Sequence, residues 1–253
     1  MIICITGATG FIGKKLVDTL ILKKHRIKIL SRNPQLNFKH EMIEHHKGDL
    51  CDPNCDLDLF LTNCDVLIHC AGELNKEELM YDLHVNGTKN ILSTAKKVYS
   101  KTKKKIYWVQ LSSCGAYGPP KNIIKDRFID EKSKTSPKII YEITKTISDD
   151  LIIKASEAGF ISFSILRPSN VIGPGIVNPA LSKIIYLLKK KYFIYIGKKG
   201  SIATFVHVDD VVKSLVELVS NPKAKGEIFN LSSDCKFEDL INSICNHINV
   251  KKP

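Results

Sequence analysis

Short apolar segments alternate with longer amphipathic segments along the first two thirds of the chain. The apolar segments cover residues 2–5, 26–30, 42–46, 65–69, 105–112 and 160–167. Apolar runs of this length, bounded by turn residues, are typical of strands that are buried on both faces. The amphipathic segments predict helices, of which the clearest cover residues 14–22, 76–99 and 139–158. This alternation predicts an α/β fold with a doubly wound parallel sheet and helices on both faces.

The pattern becomes less regular after residue 168. We predict a loop over residues 170–175, strands over 193–196, 203–208 and 227–231, and helices over 179–191, from Asp209 onward, and over 237–247. We therefore expect residues 1–168 to form the main domain. Residues 169–253 are expected to form a small C-terminal lobe that is interleaved with the last strands of the sheet.

Three glycines join the first strand to the first helix. Gly7 allows a sharp turn, Gly10 leaves room for a diphosphate beside the backbone, and Gly13 lets the helix lie close to the strand. The N-terminus of the helix offers free N–H groups and the positive end of a dipole to an anion. Between a strand and a helix, this motif favours a Rossmann-like dinucleotide-binding domain over a purely structural turn.

The residues after the second and third strands bear on the choice of cofactor. An acid after the second strand would bind the free 2′-hydroxyl of NAD, but Ser31 and Arg32 stand there. Arg32 is suited to a 2′-phosphate, so NADP is the preferred cofactor and NAD the alternative. The competing interpretation is a solvent-exposed arginine. Asp49, after the third strand, could bind the adenine amino group or cap the next helix.

Composition and charge exclude several classes of protein. The 253 residues are 43% hydrophobic and carry a net charge of +12, which favours an anionic cofactor or substrate. The lysine clusters at 101–105 and 189–191 lack interleaved aromatic residues, so we expect no nucleic-acid partner. The absence of a membrane-length apolar run and of a signal peptide predicts a cytoplasmic protein with no membrane partner. The eight cysteines form no CxxC pair, which indicates free thiols and no metal site.

Tyr141 and Lys145 are four residues apart, on one face of a predicted helix. An ammonium beside a phenol favours the phenolate, so we expect a lowered pKa for Tyr141 and a role as acid or base. Lys145 also has donors for a ribose hydroxyl. Ser113 follows the preceding strand and could bind a substrate oxygen. The three side chains would polarise a C–O group during hydride transfer with a nicotinamide.

With these motifs the chain resembles the extended short-chain dehydrogenase/reductase family, of the NAD-dependent epimerase/dehydratase type. The resemblance covers most of the chain. It rests on TGATGFIG (6–13), GDL (48–50), DVLIHCAG (65–72), VNGTKN (85–90), LSSCGAYG (111–118), YEITK (141–145), RPSNVIGPG (167–175) and FVHVDDVV (205–212). These motifs occur in the family's order and identify the family without identifying the substrate.

The resemblance implies a role for each matching residue. The cofactor would be contacted by Gly7, Gly10, Phe11 and Ile12 at the pyrophosphate, by Asp49 and Leu50 at the adenine, by Ala71 at the ribose, and by Pro168 and Val171 near the nicotinamide. Ser113, Tyr141 and Lys145 would be the catalytic residues. Asn170 would contact the substrate.

The chain departs from the family pattern in three features. Cys114 and Gly115 stand where family dehydratases have an Asp-Glu pair, which makes water elimination unexpected. Ala203 and Thr204 stand where many nucleotide-sugar epimerases have Arg-Asp, so a diphosphate-binding arginine is missing, although Lys198 and Lys199 are close in sequence. The chain also ends earlier than is usual for the family, which implies a shortened C-terminal lobe.

Three functions remain open at the level of sequence. The first is an NAD(P)-dependent epimerase or reductase of a sugar or sugar nucleotide. The second is an NADPH-dependent carbonyl reductase of a non-sugar alcohol or ketone, which Arg32 and the missing arginine favour. The third is a non-catalytic nucleotide-binding scaffold, against which the intact Ser113, Tyr141 and Lys145 argue. The resemblance also implies a homodimer through the helices predicted at 76–99 and 139–158.

Overall fold

Parallel strands form a seven-stranded main sheet in the structure, a computed structural model that describes residues 1–33, 38–120, 127–175, 179–196 and 199–253. In chain order the strands are β1 (Ile2–Thr6), β2 (Arg26–Ser31), β3 (Ile43–Lys47), β4 (Val66–His69), β5 (Ile106–Leu111), β6 (Ile161–Pro168), β7 (Asn170–Ile172), β8 (Ile202–His207), β9 (Ile228–Leu231) and β10 (Ser233–Lys236). The order in the main sheet is β3-β2-β1-β4-β5-β6-β9. This confirms the predicted Rossmann-like parallel sheet.

Helices cover both faces of this sheet. They are α1 (Phe11–Leu22), α2 (Asp58–Leu61), α3 (Glu77–Tyr81), α4 (Gly87–Thr102), α5 (Ile140–Glu157), α6 (Pro179–Lys189), α7 (Val208–Ser220) and α8 (Phe237–His247). Alternate residues of β1 face opposite layers: Ile3 and Ile5 pack with α1 and α7, whereas Cys4 packs in the cluster that holds α2, α4 and α5. Burial on both faces explains why the central strands read as continuous apolar runs.

The second predicted helix is interrupted. α3 and α4 are joined by a π-helical turn, Asp82–Asn86, and α4 continues to Thr102. A Cβ on Gly87 would lie 3.1 Å from the Cβ of Leu50, so this glycine lets α4 approach the loop after β3. π-Helical turns are rare and frequent at functional sites, and this one lies beside α5, where Tyr141 was predicted to act.

A three-stranded sheet, ordered β10-β8-β7, lies in the C-terminal part of the described chain. The prediction of a loop over residues 170–175 is therefore wrong in part, because Asn170–Ile172 pairs in parallel with β8. The strand predicted at 193–196 is absent: Phe193 packs beside Leu188 and Phe237, while Ile194 and Ile196 are exposed. β10 went unpredicted because its sequence, SDCK, is polar.

The C-terminal part of the chain contributes to both sheets, since β9 pairs with β6 in the main sheet. A division of the chain at residue 168 stays a prediction. No helix within the described ranges is long and apolar enough to span a membrane.

Candidate active site

The glycine turn after β1 is closely packed. Gly7 has a φ of +70°, and a Cβ there would lie 2.6 Å from the backbone of Cys70 and Ala71. A Cβ on Gly13 would lie 2.2 Å from the carbonyl oxygen of Gly7. Only glycine fits at either position, so the turn, the start of α1 and the end of β4 are held together as the motif predicted.

The N-terminus of α1 is open to an anion. Gly10 is the N-cap, no side chain of the described residues caps the helix, and its first turn, which is fully described, contains no acid. Within the described part of the chain, a Cβ on Gly10 would meet only the Gly7 carbonyl, at 3.3 Å, so one side of this residue is free of those residues. Phe11 and Ile12 begin the helix and are half-buried. The uncapped N–H groups fit the pyrophosphate of a dinucleotide.

A cavity of about 470 Å³ extends from this turn along the carboxyl ends of the strands. Its lining includes most residues predicted for the adenosine half of the cofactor: Gly7, Gly10, Arg32, Asp49, Leu50 and Ala71. Asp49 accepts a hydrogen bond from the backbone N–H of Cys51 at 3.0 Å, which orients its carboxylate at the cavity wall. Ser31 donates to the Asn33 carbonyl at 2.8 Å. The cavity, together with the free N–H groups of α1, therefore fits an adenine dinucleotide.

α5 and the end of β5 bring the three predicted catalytic side chains to one place. The Ser113 hydroxyl lies near the Tyr141 hydroxyl and lowers its pKa. Ser113 also accepts from the N–H of Gly115 at 3.0 Å, which fixes its side chain. Lys145 lies one turn after Tyr141 and is 5% exposed, and its ammonium donates to the Leu111 carbonyl at 2.6 Å.

The expectation of a lowered pKa for Tyr141 is wrong in this structure. Burial raises the pKa of Tyr141 to about 12, against the Ser113 hydroxyl, which lowers it, and with a smaller upward effect of the Asp149 carboxylate. Lys145 does not offset this burial because its ammonium is directed to Leu111. Burial likewise lowers the pKa of Lys145, against Asp149 and Cys70, which raise it. At neutral pH Tyr141 is therefore a protonated phenol, ready to donate.

His84, which the sequence analysis did not select, packs against Tyr141. The two rings are 5.7 Å apart and nearly perpendicular, at 81°. The His84 Nε2 accepts from the Glu73 N–H at 2.9 Å, so Nδ1 carries the proton and donates to Thr144 Oγ1 at 2.8 Å. Burial lowers the pKa of His84 to about 3, so the ring is neutral. No sequence signal marks it, because the π-helical turn that places it has no motif.

Asp149 and Arg167 form a second unpredicted feature, a buried ion pair one turn after Lys145 on α5. The Asp149 Oδ2 lies 3.0 Å from Arg167 Nη2 and also accepts from Ser112 Oγ at 2.8 Å. Arg167 belongs to β6, beside Pro168, and Asp149 to α5. The pair therefore ties the helix that carries Tyr141 to the sheet.

The residues predicted near the nicotinamide and substrate lie after β5 and β6. Pro168 is buried at the end of β6, and Val171 is half-buried on β7. Asn170 is exposed, and its amide donates to the Thr204 carbonyl of β8 at 3.0 Å, so this nitrogen is engaged with the backbone. Cys114 donates to the Arg167 carbonyl at 3.0 Å. Lys198 lies outside the described residues.

Comparisons with known proteins show which family this chain belongs to. A family model described as the NAD dependent epimerase/dehydratase family matches residues 3–232. A putative UDP-glucose 4-epimerase of Methanocaldococcus jannaschii is 30% identical over 251 residues, covering 91% of this chain and 76% of that protein. A bifunctional dihydroflavonol 4-reductase/flavanone 4-reductase of Pyrus communis is 26% identical, covering 96% of this chain and 75% of that protein.

Solved structures share the fold. UDP-glucuronic acid 4-epimerase from Bacillus cereus, in complex with NAD, superimposes with a TM-score of 0.81 at 21% identity, covering 99% of this chain and 84% of that chain. The parallel sheet and the glycine turn define a nucleotide-dependent enzyme of the Rossmann class. More narrowly, the chain belongs to the NAD-dependent epimerase/dehydratase family, because the family model spans most of its length.

Proposed function

We propose that this enzyme is an NAD(P)-dependent epimerase or reductase of a sugar or sugar nucleotide, with Ser113, Tyr141 and Lys145 as its catalytic residues. The observation that carries the proposal is the proximity of the Ser113 hydroxyl to Tyr141, with Lys145 buried one turn further along α5. The name of the relative from M. jannaschii, a putative UDP-glucose 4-epimerase, supports the choice of substrate class.

The chain's own residues supply proton transfer and polarisation. NAD(P), when bound, supplies or accepts the hydride at its nicotinamide ring. Tyr141 is protonated at neutral pH, so it donates a proton to a carbonyl oxygen that is being reduced. Ser113 donates a hydrogen bond to the same oxygen and stabilises its developing charge. Lys145 stabilises the resulting phenolate and holds a ribose hydroxyl, and in the oxidative direction the phenolate takes the proton back.

NADP as the preferred cofactor follows from Arg32. Arg32 lines the cavity at the end of β2 and is exposed, so its guanidinium is accessible to a 2′-phosphate. Ser31, which stands at the position of an NAD-selecting acid, is neutral and donates to the Asn33 carbonyl. NAD remains the alternative, since the 2′-hydroxyl can be bound without an acid.

A carbonyl reductase of a non-sugar substrate is the second candidate. Ala203 is buried on β8 and Thr204 is exposed, so neither provides the cation that a substrate diphosphate would need. Two relatives have names of oxidoreductases that act on non-sugar substrates. One is the reductase of P. communis, and the other is a human sterol-4-alpha-carboxylate 3-dehydrogenase, decarboxylating, which is 24% identical over 98% of this chain. A non-catalytic scaffold is disfavoured by the complete set of Ser113, Tyr141 and Lys145.

One experiment separates these functions. One portion of the purified protein is denatured to identify any retained nucleotide. With a second, native portion, NADPH absorbance is followed in the presence of a panel of sugar nucleotides and carbonyl compounds. Product formed with retained cofactor and no change in absorbance indicates an epimerase. Stoichiometric loss of NADPH with a carbonyl compound indicates a reductase. If neither nucleotide binds and no compound turns over, the proposal is wrong. Light scattering of the same sample tests the proposed homodimer.

A further inference from the structure

Asp149 is a buried carboxylate that the mechanism above does not use. It lies on α5, one turn after Lys145 and two turns after Tyr141, so the three share one face of the helix. Its exposed fraction is 0%. A buried carboxylate is costly to the fold unless hydrogen bonds or a cation compensate for its lost hydration. Its partners therefore indicate what it does.

One oxygen of Asp149 carries every hydrogen bond that the carboxylate makes. Oδ2 accepts from Ser112 Oγ at 2.8 Å, from Arg167 Nε at 3.2 Å and from Arg167 Nη2 at 3.0 Å. Oδ1 is buried and has no hydrogen-bond partner among the described residues. The carboxylate is thus held firmly through one oxygen and keeps the other available.

Arg167 is itself fixed from the far side. Its Nη1 donates to the Tyr117 hydroxyl at 3.1 Å, and its guanidinium lies 5.1 Å from the centre of the Tyr117 ring. The Tyr117 hydroxyl in turn donates to Asn230 Oδ1 at 2.9 Å. This chain of contacts reaches from β9 to α5 and leaves Asp149 little freedom to reorient.

Lys145 is the cation nearest to this carboxylate along α5. It is 5% exposed, and the Leu111 carbonyl is its hydrogen-bond partner within the described chain. The ionisable groups around it come from four elements: Tyr141 and Asp149 from α5, His69 and Cys70 from the end of β4, His84 from the π-helical turn, and Arg167 from β6.

Asp149 is the carboxyl group of this set. Burial lowers the pKa values of His69 and His84 to about 3 and raises those of Cys70 and Tyr141 to about 12, so all four are neutral at pH 7. Burial also raises the pKa of Asp149, against Arg167, Lys145 and the Ser112 hydrogen bond, which lower it. The Arg167 guanidinium, 3.0 Å from Oδ2, nevertheless favours the ionised carboxylate.

We propose that Asp149 is a positioning residue, whose clamped carboxylate keeps the buried Lys145 ammonium charged and on the Tyr141 face of α5. This inference rests on the proposed function, in which Lys145 acts as a cation. A lysine buried without an opposite charge tends to lose its proton. The neutral amine would neither stabilise the Tyr141 phenolate nor offer three hydrogens to its partners.

The direct test measures the protonation of Lys145 in the intact protein. Lysine labelled with ¹³C at Cε is incorporated, and the Lys145 signal is assigned by its loss in Lys145→Met. In Asp149→Asn the pKa of Lys145 is expected to fall by about one pH unit or more. Asp150→Asn is the matched control, because Asp150 is the exposed neighbour on the same helix. An unchanged pKa of Lys145 in Asp149→Asn overturns the proposal.

A double variant separates charge from folding. Asp149→Asn leaves the Arg167 guanidinium buried without its carboxylate, which destabilises the protein. Asp149→Asn/Arg167→Met removes both charges and is expected to recover most of the lost thermal stability. The low pKa of Lys145 is expected to persist, because Asp149 and not Arg167 is the charge that acts on it. A pKa that returns to the wild-type value together with stability would show that Asp149 is merely structural.

Turnover provides the second readout. The alkaline limb of the kcat profile is expected at lower pH in Asp149→Asn and in the double variant than in the wild type or Asp150→Asn. A limb that stays at the wild-type pH contradicts the inference. If the wild type binds no NAD(P) and transfers no hydride, the proposed function fails. The ¹³C titration then still decides whether Asp149 controls the charge of Lys145.

Discussion

At the scale of single residues, the candidate site contains side chains that differ in their exposure to solvent. Lys145 is buried and Tyr141 is half-buried, whereas Arg32 lies exposed in the lining of the cavity. Proton transfer needs groups whose protonation is controlled by burial, and recognition of a phosphate needs a cation that remains charged in water. The two tasks therefore fall to residues that differ in their exposure.

Arg32→Ala is expected to weaken NADPH binding by about tenfold or more and NADH binding much less, because only NADPH has a 2′-phosphate for the guanidinium. Titration calorimetry with both nucleotides measures this. Arg26→Ala is the matched control, since Arg26 is an exposed arginine at the other end of β2. Equal losses for both nucleotides, or none, would remove Arg32 from the 2′-phosphate site.

At the scale of elements, two glycines of the β1–α1 unit have different roles: Gly13 is required for packing, and Gly10 is expected to serve cofactor binding. Gly13→Ala would place a Cβ 2.2 Å from the Gly7 carbonyl oxygen, whereas Gly10→Ala would place one 3.3 Å from the same atom. The first contact requires backbone movement and the second only a small adjustment. The two substitutions should therefore act on different properties of the protein.

Gly13→Ala is expected to lower the free energy of unfolding by about 1–3 kcal/mol, as overpacking does. Gly10→Ala is expected to leave that free energy nearly unchanged and to weaken NAD(P)(H) binding, because its methyl group would occupy the space of the diphosphate. Urea unfolding and nucleotide titration of both variants measure the two effects. Equal stability losses in the two variants would refute the separation.

The same elements show what the sequence could predict. The six strands of the main sheet up to residue 168 were located within one residue at each end, because burial on both faces demands apolar runs. Tyr141, Lys145 and Ser113 could be selected as candidates because their spacing and order carry a signal. Asp149 was not, because the pair Asp149-Asp150 on a helix resembles a solvated face. Whether one of them is buried depends on Arg167, which lies on another element.

At the scale of the whole molecule, two neutral histidines couple stability to pH. Burial holds the pKa values of His69 and His84 at about 3, below the value of about 6.5 in an unfolded chain. Between these values the unfolded state binds more protons than the folded state, so stability falls as the pH falls. The contribution is complete above pH 6.5 and is lost progressively below it.

Each histidine is expected to cost about 1.4 kcal/mol of stability per pH unit below pH 6.5, or about 2 kcal/mol between pH 7 and pH 5. The free energy of unfolding, measured by urea at several pH values, is therefore expected to depend less on pH in His84→Gln than in the wild type. His247→Gln, which changes an exposed histidine, is the control and should keep the wild-type slope. A wild-type slope in His84→Gln would contradict the assignment.

The central claim is that Tyr141 transfers the proton that accompanies hydride transfer, and one substitution tests it most directly. Tyr141→Phe removes the phenolic hydroxyl and keeps the ring that packs against His84. Tyr186→Phe is the control, because Tyr186 is 58% exposed on α6. In single-turnover absorbance measurements with the substrate found in the panel, Tyr141→Phe is expected to lose hydride transfer by at least about a hundredfold, with NAD(P)(H) affinity within a few-fold of the wild type. Transfer at the wild-type rate in Tyr141→Phe would contradict the account.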